Sequence, residues 1–231
     1  MKTSPVLSAI LIVLTLTLTS CGPLIFKANF DAYAVGNAPN PNPPGDPSGD
    51  EIKGNCGLTV VNSAVVDSKA MRFYNDTGCS VDLMWFESDN LAASNNFLNY
   101  TFSGYPESTS HRNFYLSFAG GHFKEAFSIL FDSGTLYLTD GGYNQHDIGN
   151  YTANQKQTFL VGIDRDTNTY SVTITREGAA NIQLSDRPIK DADFWGQTAY
   201  ILQAYYDTND SGSSPNGYVF DSVTMNKEDM D

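Results

Sequence analysis

Between residues 113 and 131 the apolar side chains fall on every second position: Phe114, Leu116 and Phe118, then Phe127, Ile129 and Phe131. Successive side chains of a strand point to opposite faces, so each trio shares one face. A helix would need a repeat of about 3.6 residues, and no long stretch of this chain shows one. The two-residue repeat returns further on. "DSG" (132–134) turns the second segment into "TLYLTD" (135–140), and "TFLVGI" and "TYSVTIT" flank "DRDTN", where Asp and Asn supply turn chemistry. "AYILQAYYD" (199–207) and "YVFDSVTM" (218–225) complete the set. In the former, Ile201, Gln203 and Tyr205 share one face, and Tyr200, Leu202, Ala204 and Tyr206 the other. Strands with one apolar and one mixed face predict an all-β fold, with two antiparallel sheets packed as a sandwich.

The N-terminus reads differently. Met1-Lys2 is followed by the uncharged run from Val6 to Leu18. That run is too short for the roughly 20 residues of a spanning helix and suits the apolar core of a secretory signal. Leu18-Thr19-Ser20-Cys21 resembles the lipobox of bacterial lipoproteins: an apolar residue, two small ones and Cys. The resemblance implies a signal peptide over 1–20 and diacylglycerol on the Cys21 thiol. It further implies acylation (palmitate) of the new N-terminus, and several chains hold a protein on a membrane where one does not. Gly22, in place of Asp, favours the outer membrane of a two-membrane envelope. The alternative is an ordinary secreted protein with an incidental Cys21. Residues 21–27 are then the lipidated Cys and a short tether, 28–226 one sandwich domain, and 227–231 a polar tail. "NFDAYAVG" (29–36) reads as a strand, and the Pro/Gly/Asn stretch from Asn37 to Gly49 as a long surface loop.

Only Lys2 among charged residues lies in the first twenty positions, so removing them moves the formal charge from −13 to −14. An acidic surface argues against nucleic acid and anionic lipid headgroups as partners. With Cys21 lipidated, Cys56 and Cys79 remain, in an oxidising compartment. A bridge between them closes a 23-residue loop and stabilises the fold by about 3 kcal/mol; two free thiols are the alternative.

"FDAYAVGNAP", "SKAMRF", "TFLVGIDRDTNTYSVTITREG" and "GYVFDSVTM" follow the order of segments in the concanavalin A-like lectin/glucanase superfamily, in its laminin-G-like form, which the chain resembles from about Asn29 to Met225. The resemblance implies a jelly roll of two curved sheets with first and last strands adjacent. It also implies a structural Ca2+ using an Asp near each end, here Asp31 and Asp221, and otherwise no cofactor. The superfamily hosts lectins, hydrolases and lyases, so the site must decide.

Its hydrolases carry Glu-x-Asp-x-Glu on one strand. This chain has Glu87-Ser88-Asp89-Asn90-Leu91, with Leu91 where the proton-donating acid should stand. Without that donor the leaving group cannot be protonated. "HRN" (His111 to Asn113) and "YNQHD" (Tyr143 to Asp147) hold the residue types of a lyase without the patterns of the alginate lyases of this fold. His111, His122 and His146 read as loop residues. "DTNDSG" (Asp207 to Gly212) copies half an EF-hand loop and lacks its closing Glu, so it reads as a turn. Sugar recognition needs flat rings and hydrogen-bonding groups on rigid strands. Trp85, Tyr115, Gln203 and Tyr205 are the candidates if their face lines the concave sheet; the alternative is that the rings fill the core or its rims. The expected function is an envelope-anchored lipoprotein that binds glycan or polysaccharide, or serves as a surface interaction module, without catalysis. The alternative is a polysaccharide-degrading enzyme, a lyase before a hydrolase.

Overall fold

The alternating segments become strands that pair into two sheets. The computed structural model describes residues 24–38, 51–54, 57–74, 83–88, 97–121, 124–141, 144–197, 199–206 and 217–228. Along the chain these form β1 (Leu24–Asn29), β2 (Glu51–Gly54), β3 (Leu58–Ser63), β4 (Ser68–Tyr74) and β5 (Leu83–Ser88). Next come β6 (Phe97–Pro106), β7 (Phe114–Gly120), β8 (Lys124–Asp132), β9 (Thr135–Thr139) and β10 (Gln145–Asn150). The last are β11 (Gln157–Asp164), β12 (Thr169–Arg176), β13 (Ile182–Pro188), β14 (Tyr200–Tyr206) and β15 (Gly217–Glu228), with a 3-10 turn at Phe194–Gly196 before β14.

One sheet runs β13-β12-β11-β6-β15-β4-β3, with β1 also on β15; the other runs β10-β9-β8-β7-β14-β5-β2. All described pairings are antiparallel. The first and last strands are neighbours, with Asn29 opposite Ser222. The fold is the two-sheet antiparallel sandwich that the alternation predicts.

Between the sheets lies one core rich in aromatic rings. Phe114, Leu116 and Phe118 of β7 meet Phe127, Ile129 and Phe131 of β8 there, all fully buried. Phe102 and Phe159, opposite each other on β6 and β11, stack at 4.3 Å and 5°. Such a ring pair contributes about 1 kcal/mol beyond its area burial. Phe220 of β15 packs edge-on against Phe86 of β5 at 5.3 Å, tying the two sheets together. Burial also raises the phenol pKa of Tyr100, Tyr170 and Tyr218, which serve as core rings.

Three boundaries differ from the sequence reading. The strand placed over 29–36 ends at Asn29, and the chain turns through Phe30–Gly36, where Tyr33 N–H donates to Phe30 O (3.1 Å) and Gly36 N–H to Val60 O (2.9 Å). Gly36 has φ +88°, a left-handed conformation that breaks an extended strand. Residues 24–27 belong to β1, paired with β15, rather than to a tether. At the other end, Lys227 and Glu228 pair with Leu98 and Phe97, so β15 runs two residues past 226. Cys21, Cys56, Cys79, Asp89, Leu91, His122, Tyr143, 39–49 and the 207–212 turn lie outside the described residues.

Candidate functional site

The outer face of the β10-to-β2 sheet carries side chains in three rows across the strands. In an antiparallel pair, residues directly opposite share a face. The first row runs Lys53 (β2), Trp85 (β5), Gln203 (β14), Ser117 (β7), Ser128 (β8), Thr139 (β9) and Gln145 (β10). Beside it run Leu83, Tyr205, Tyr115, Leu130, Tyr137 and Asp147. On the other side run Glu87, Ile201, Ala119 and Glu125.

The middle of the polar row is recessed: Ser117 is 0%, Ser128 2% and Gln203 7% exposed although they face away from the core. Tyr115 and Tyr205 stack face to face at 4.8 Å and 7°, so the pair stands on the sheet as one slab. Four strand spacings separate Trp85 from Thr139, about 19 Å, enough for several sugar rings.

Two carboxylates overlook the polar row. Glu87 Oε2 accepts from Trp85 Nε1 (2.7 Å) and Lys53 Nζ (3.0 Å), which fixes the indole plane. Glu125 Oε1 accepts from Ser117 Oγ (2.7 Å), while its Oε2 is paired with Lys190 Nζ. Both side chains of that pair are 13% exposed. Lys190 reaches the face because residues 190–191 dock on the start of β8: Lys190 N–H donates to Ala126 O (2.7 Å) and Asp191 N–H to Glu125 O (2.9 Å). Asp191 Oδ2 accepts the Glu125 N–H in return, at 2.8 Å.

The structure therefore brings Trp85, Tyr115, Gln203 and Tyr205 together as two cross-strand pairs, with Glu87 one row away. The sequence reading missed Glu125, Lys190, Ser128, Thr139 and Tyr137. Ser128 was accessible to it, since Phe127 and Ile129 face inward and Ser128 must face outward. Glu125 was not. The register shifts between Phe118 and Ala119, and the bulge sets Glu125 opposite Ala119. Regular alternation from Phe127 puts Ala126 outward and Glu125 inward, so only the bulge turns Glu125 to this face.

The lyase-type residues separate. His111, read as a loop residue, is 0% exposed among Phe114, Tyr151 and Tyr206, and its Nδ1 lies 3.2 Å from the Tyr206 hydroxyl. A ring closed between the sheets cannot take a proton from a polymer outside. His146, also read as a loop residue, lies on β10; its Nε2 is 3.4 Å from Asp140 Oδ1. Asp140, 1% exposed, is held from the other sheet by Arg187, with Nε at 2.9 Å.

Asp221 sits at a bulge of β15, between Phe220 and Ser222. Its carboxylate accepts from Ser68 Oγ (3.0 Å), Ser103 Oγ (3.0 Å) and Lys156 Nζ (3.1 Å). Asp31 Oδ1 is 3.4 Å from Lys69 N, and Lys69 Nζ donates to the carbonyls of Asp31 (2.9 Å) and Tyr33 (2.8 Å). An ammonium thus already engages the Asp221 carboxylate, whereas the Asp31 carboxylate meets only the backbone N–H of Lys69 among the described residues. Among the described residues, no group of three or more His, Cys, Asp or Glu is arranged to hold a metal.

No family model and no curated protein matches this chain. Solved structures are similar to it at low identity. The catalytic domain of a glycoside hydrolase family 131 protein from Coprinopsis cinerea has a TM-score of 0.60 at 14% identity, covering 90% of this chain and 96% of its own. The PL-14 alginate lyase of Aplysia kurodai has 0.57 at 8%, covering 89% and 100%. Peanut lectin has 0.56 at 11%, covering 88% and 97%. Identities this low speak to fold alone, and the fold is the concanavalin A-like jelly-roll sandwich.

Proposed function

We propose that this chain is a lipid-anchored envelope protein that binds a glycan on the outer face of the β10-to-β2 sheet and does not cleave it. The observation that carries this reading is the recessed polar row of Gln203, Ser117, Ser128 and Thr139, which starts beside Trp85 and passes along the stacked tyrosines. Hydroxyls and amides match sugar hydroxyls, and ring faces take pyranose CH groups. The similar structures named above are a lectin and two carbohydrate-active enzymes, which agrees with a sugar ligand.

The carboxylates of this face are ill placed for catalysis. A general acid must present a proton to the leaving oxygen. Both oxygens of Glu125 instead accept bonds from Ser117 and Lys190, and Glu87 Oε2 accepts two. The second reading, an enzyme, draws on Glu87 and Glu125 sharing one row. Their strands are three spacings apart, about 14 Å, against carboxyl separations of roughly 5–9.5 Å in glycosidases.

Affinity electrophoresis of the chain from Gly22 onward through gels containing different polysaccharides tests the reading. Retardation by at least one glycan is expected, weakened about tenfold in Trp85→Ala and in Gln203→Ala, or about 1.4 kcal/mol each. Unretarded migration in every gel would remove the proposal. Release of reducing ends or of unsaturated uronate, abolished in Glu125→Gln, would move the protein to the enzyme reading.

The anchor is a separate proposal resting on the lipobox resemblance. Full-length protein is expected to incorporate labelled palmitate and to pellet with the outer membrane, and Cys21→Ala to do neither. A structural Ca2+ at Asp31 and Asp221 is proposed to compete with Lys156 for the Asp221 carboxylate. It predicts a rise in Tm with added Ca2+, reversed by chelation.

A further inference from the structure

Two lysines at this face are held in ion pairs with carboxylates, Lys53 with Glu87 and Lys190 with Glu125. Lys53 is committed to Glu87 at 3.0 Å, in contact with Trp85. Lys190 is committed to Glu125 in a pair whose two side chains are each 13% exposed. The lysines that the rows bring to the polar floor are therefore neutralised by carboxylates beside them. From Trp85 the row continues through uncharged hydrogen-bonding groups, Gln203, Ser117 and Ser128, and on to Thr139 beyond the Glu125 strand.

A polyuronate brings one carboxylate per sugar and needs cations to receive it. If Lys190 turned to such a ligand, Glu125 would be left as a shielded anion facing a second anion; the Lys53–Glu87 pair, with side chains 37% and 21% exposed, opposes the exchange more weakly. Breaking a shielded pair by withdrawing one partner is strongly unfavourable. The long-range field adds to this, since the chain carries a formal charge of −13 and repels a polyanion before contact. A neutral polysaccharide meets neither obstacle and can satisfy the amide and hydroxyl groups without breaking an ion pair.

We infer that the face takes neutral, hydroxyl-rich polysaccharides and rejects polyuronates, with the Lys53–Glu87 and Lys190–Glu125 pairs acting as the charge filter. This deepens the glycan reading above and depends on it. The test is a panel of affinity gels at low salt with mixed-linkage glucan, xylan and galactomannan as neutral probes, and alginate and polygalacturonate as acidic ones. The expected result is at least tenfold tighter binding to one neutral probe than to either acidic one. Glu87→Gln removes the Glu87 carboxylate from Lys53 at a partly exposed position, and Glu125→Gln removes the Glu125 carboxylate from Lys190. Each variant is expected to gain affinity for alginate several-fold, with the gain erased by salt. Glu87→Gln is the safer variant if Glu125→Gln fails to fold. Wild-type binding to alginate as tight as to any neutral probe would overturn the filter while leaving the glycan reading in place. Variants that gain no alginate affinity would overturn the role given to the pairs. Binding to nothing in the panel would overturn the glycan reading itself, and the filter with it.

Discussion

His111 shows what one residue does when the core closes around it. Burial depresses its pKa to about 4, with the Gly217 carbonyl opposing the shift more weakly. The folded protein therefore holds it neutral, while the unfolded chain protonates it near pH 6.5. Between those values the unfolded state binds more protons, so stability rises with pH and is lost as pH falls from about 6.5 toward 4. The shift corresponds to roughly 3 kcal/mol at full development. Urea denaturation of His111→Phe against wild type at pH 7 and pH 4.5 checks this: the variant is expected to lose less stability between the two. His111 does lie in the loop between β6 and β7, as the sequence reading had it, but nothing in that reading showed that the loop is closed over. Only the packing of Tyr206 and Tyr151 against the ring shows that it sits inside. For Gln203 and Tyr205 alternation within the strand set a shared face, and the sheet pairing made it, with Trp85 and Tyr115, an outward one.

At the scale of elements, β15 organises one sheet. Along its outer flank it pairs first with β4 and then with β1, and on its other side with β6 over almost its whole length. The bulge at Asp221 lets one strand serve these partners, because the extra residue bends the strand and shifts register. Gly104 of β6 lies at this crossing. A Cβ there would stand 2.4 Å from Val219 O and 2.7 Å from Tyr218 Cε1, a fully buried ring. Backbone and a packed ring cannot yield as a flexible side chain would. Gly104→Ala is expected to destabilise by about 2–3 kcal/mol, read as a lower urea midpoint with unchanged m-value. No sequence pattern marks Gly104, since its need is set by Tyr218, far along the chain. The bulge that brings Glu125 onto the outer face is of the same kind: a local irregularity whose position depends on the partner strand.

Across the whole molecule, the sandwich presents two unlike outer faces. On the β15 sheet, Asp221 is closed by Lys156 and serines, and Arg72 Nε holds the Glu107 carboxylate at 2.7 Å. The other sheet carries the polar row and the rings. The proposed Cys56–Cys79 bridge belongs to this scale too. Gly57 O accepts the Tyr74 N–H at 2.9 Å, so the chain leaves β4 beside the residue that follows Cys56. Non-reducing peptide mapping is expected to find the two cysteines linked, and reduction to lower stability by about 3 kcal/mol. Two free thiols in the mapped peptides would refute it. By itself the sequence determined the fold class and the facing of the strands it could recognise, because inward or outward is fixed by parity along a single strand. The partners of each strand, the register between them, the two bulges and the ion pairs on the outer face came only with the tertiary structure. Those depend on contacts between residues far apart in the chain, and a one-residue shift in any pairing would have exchanged the polar row for core side chains.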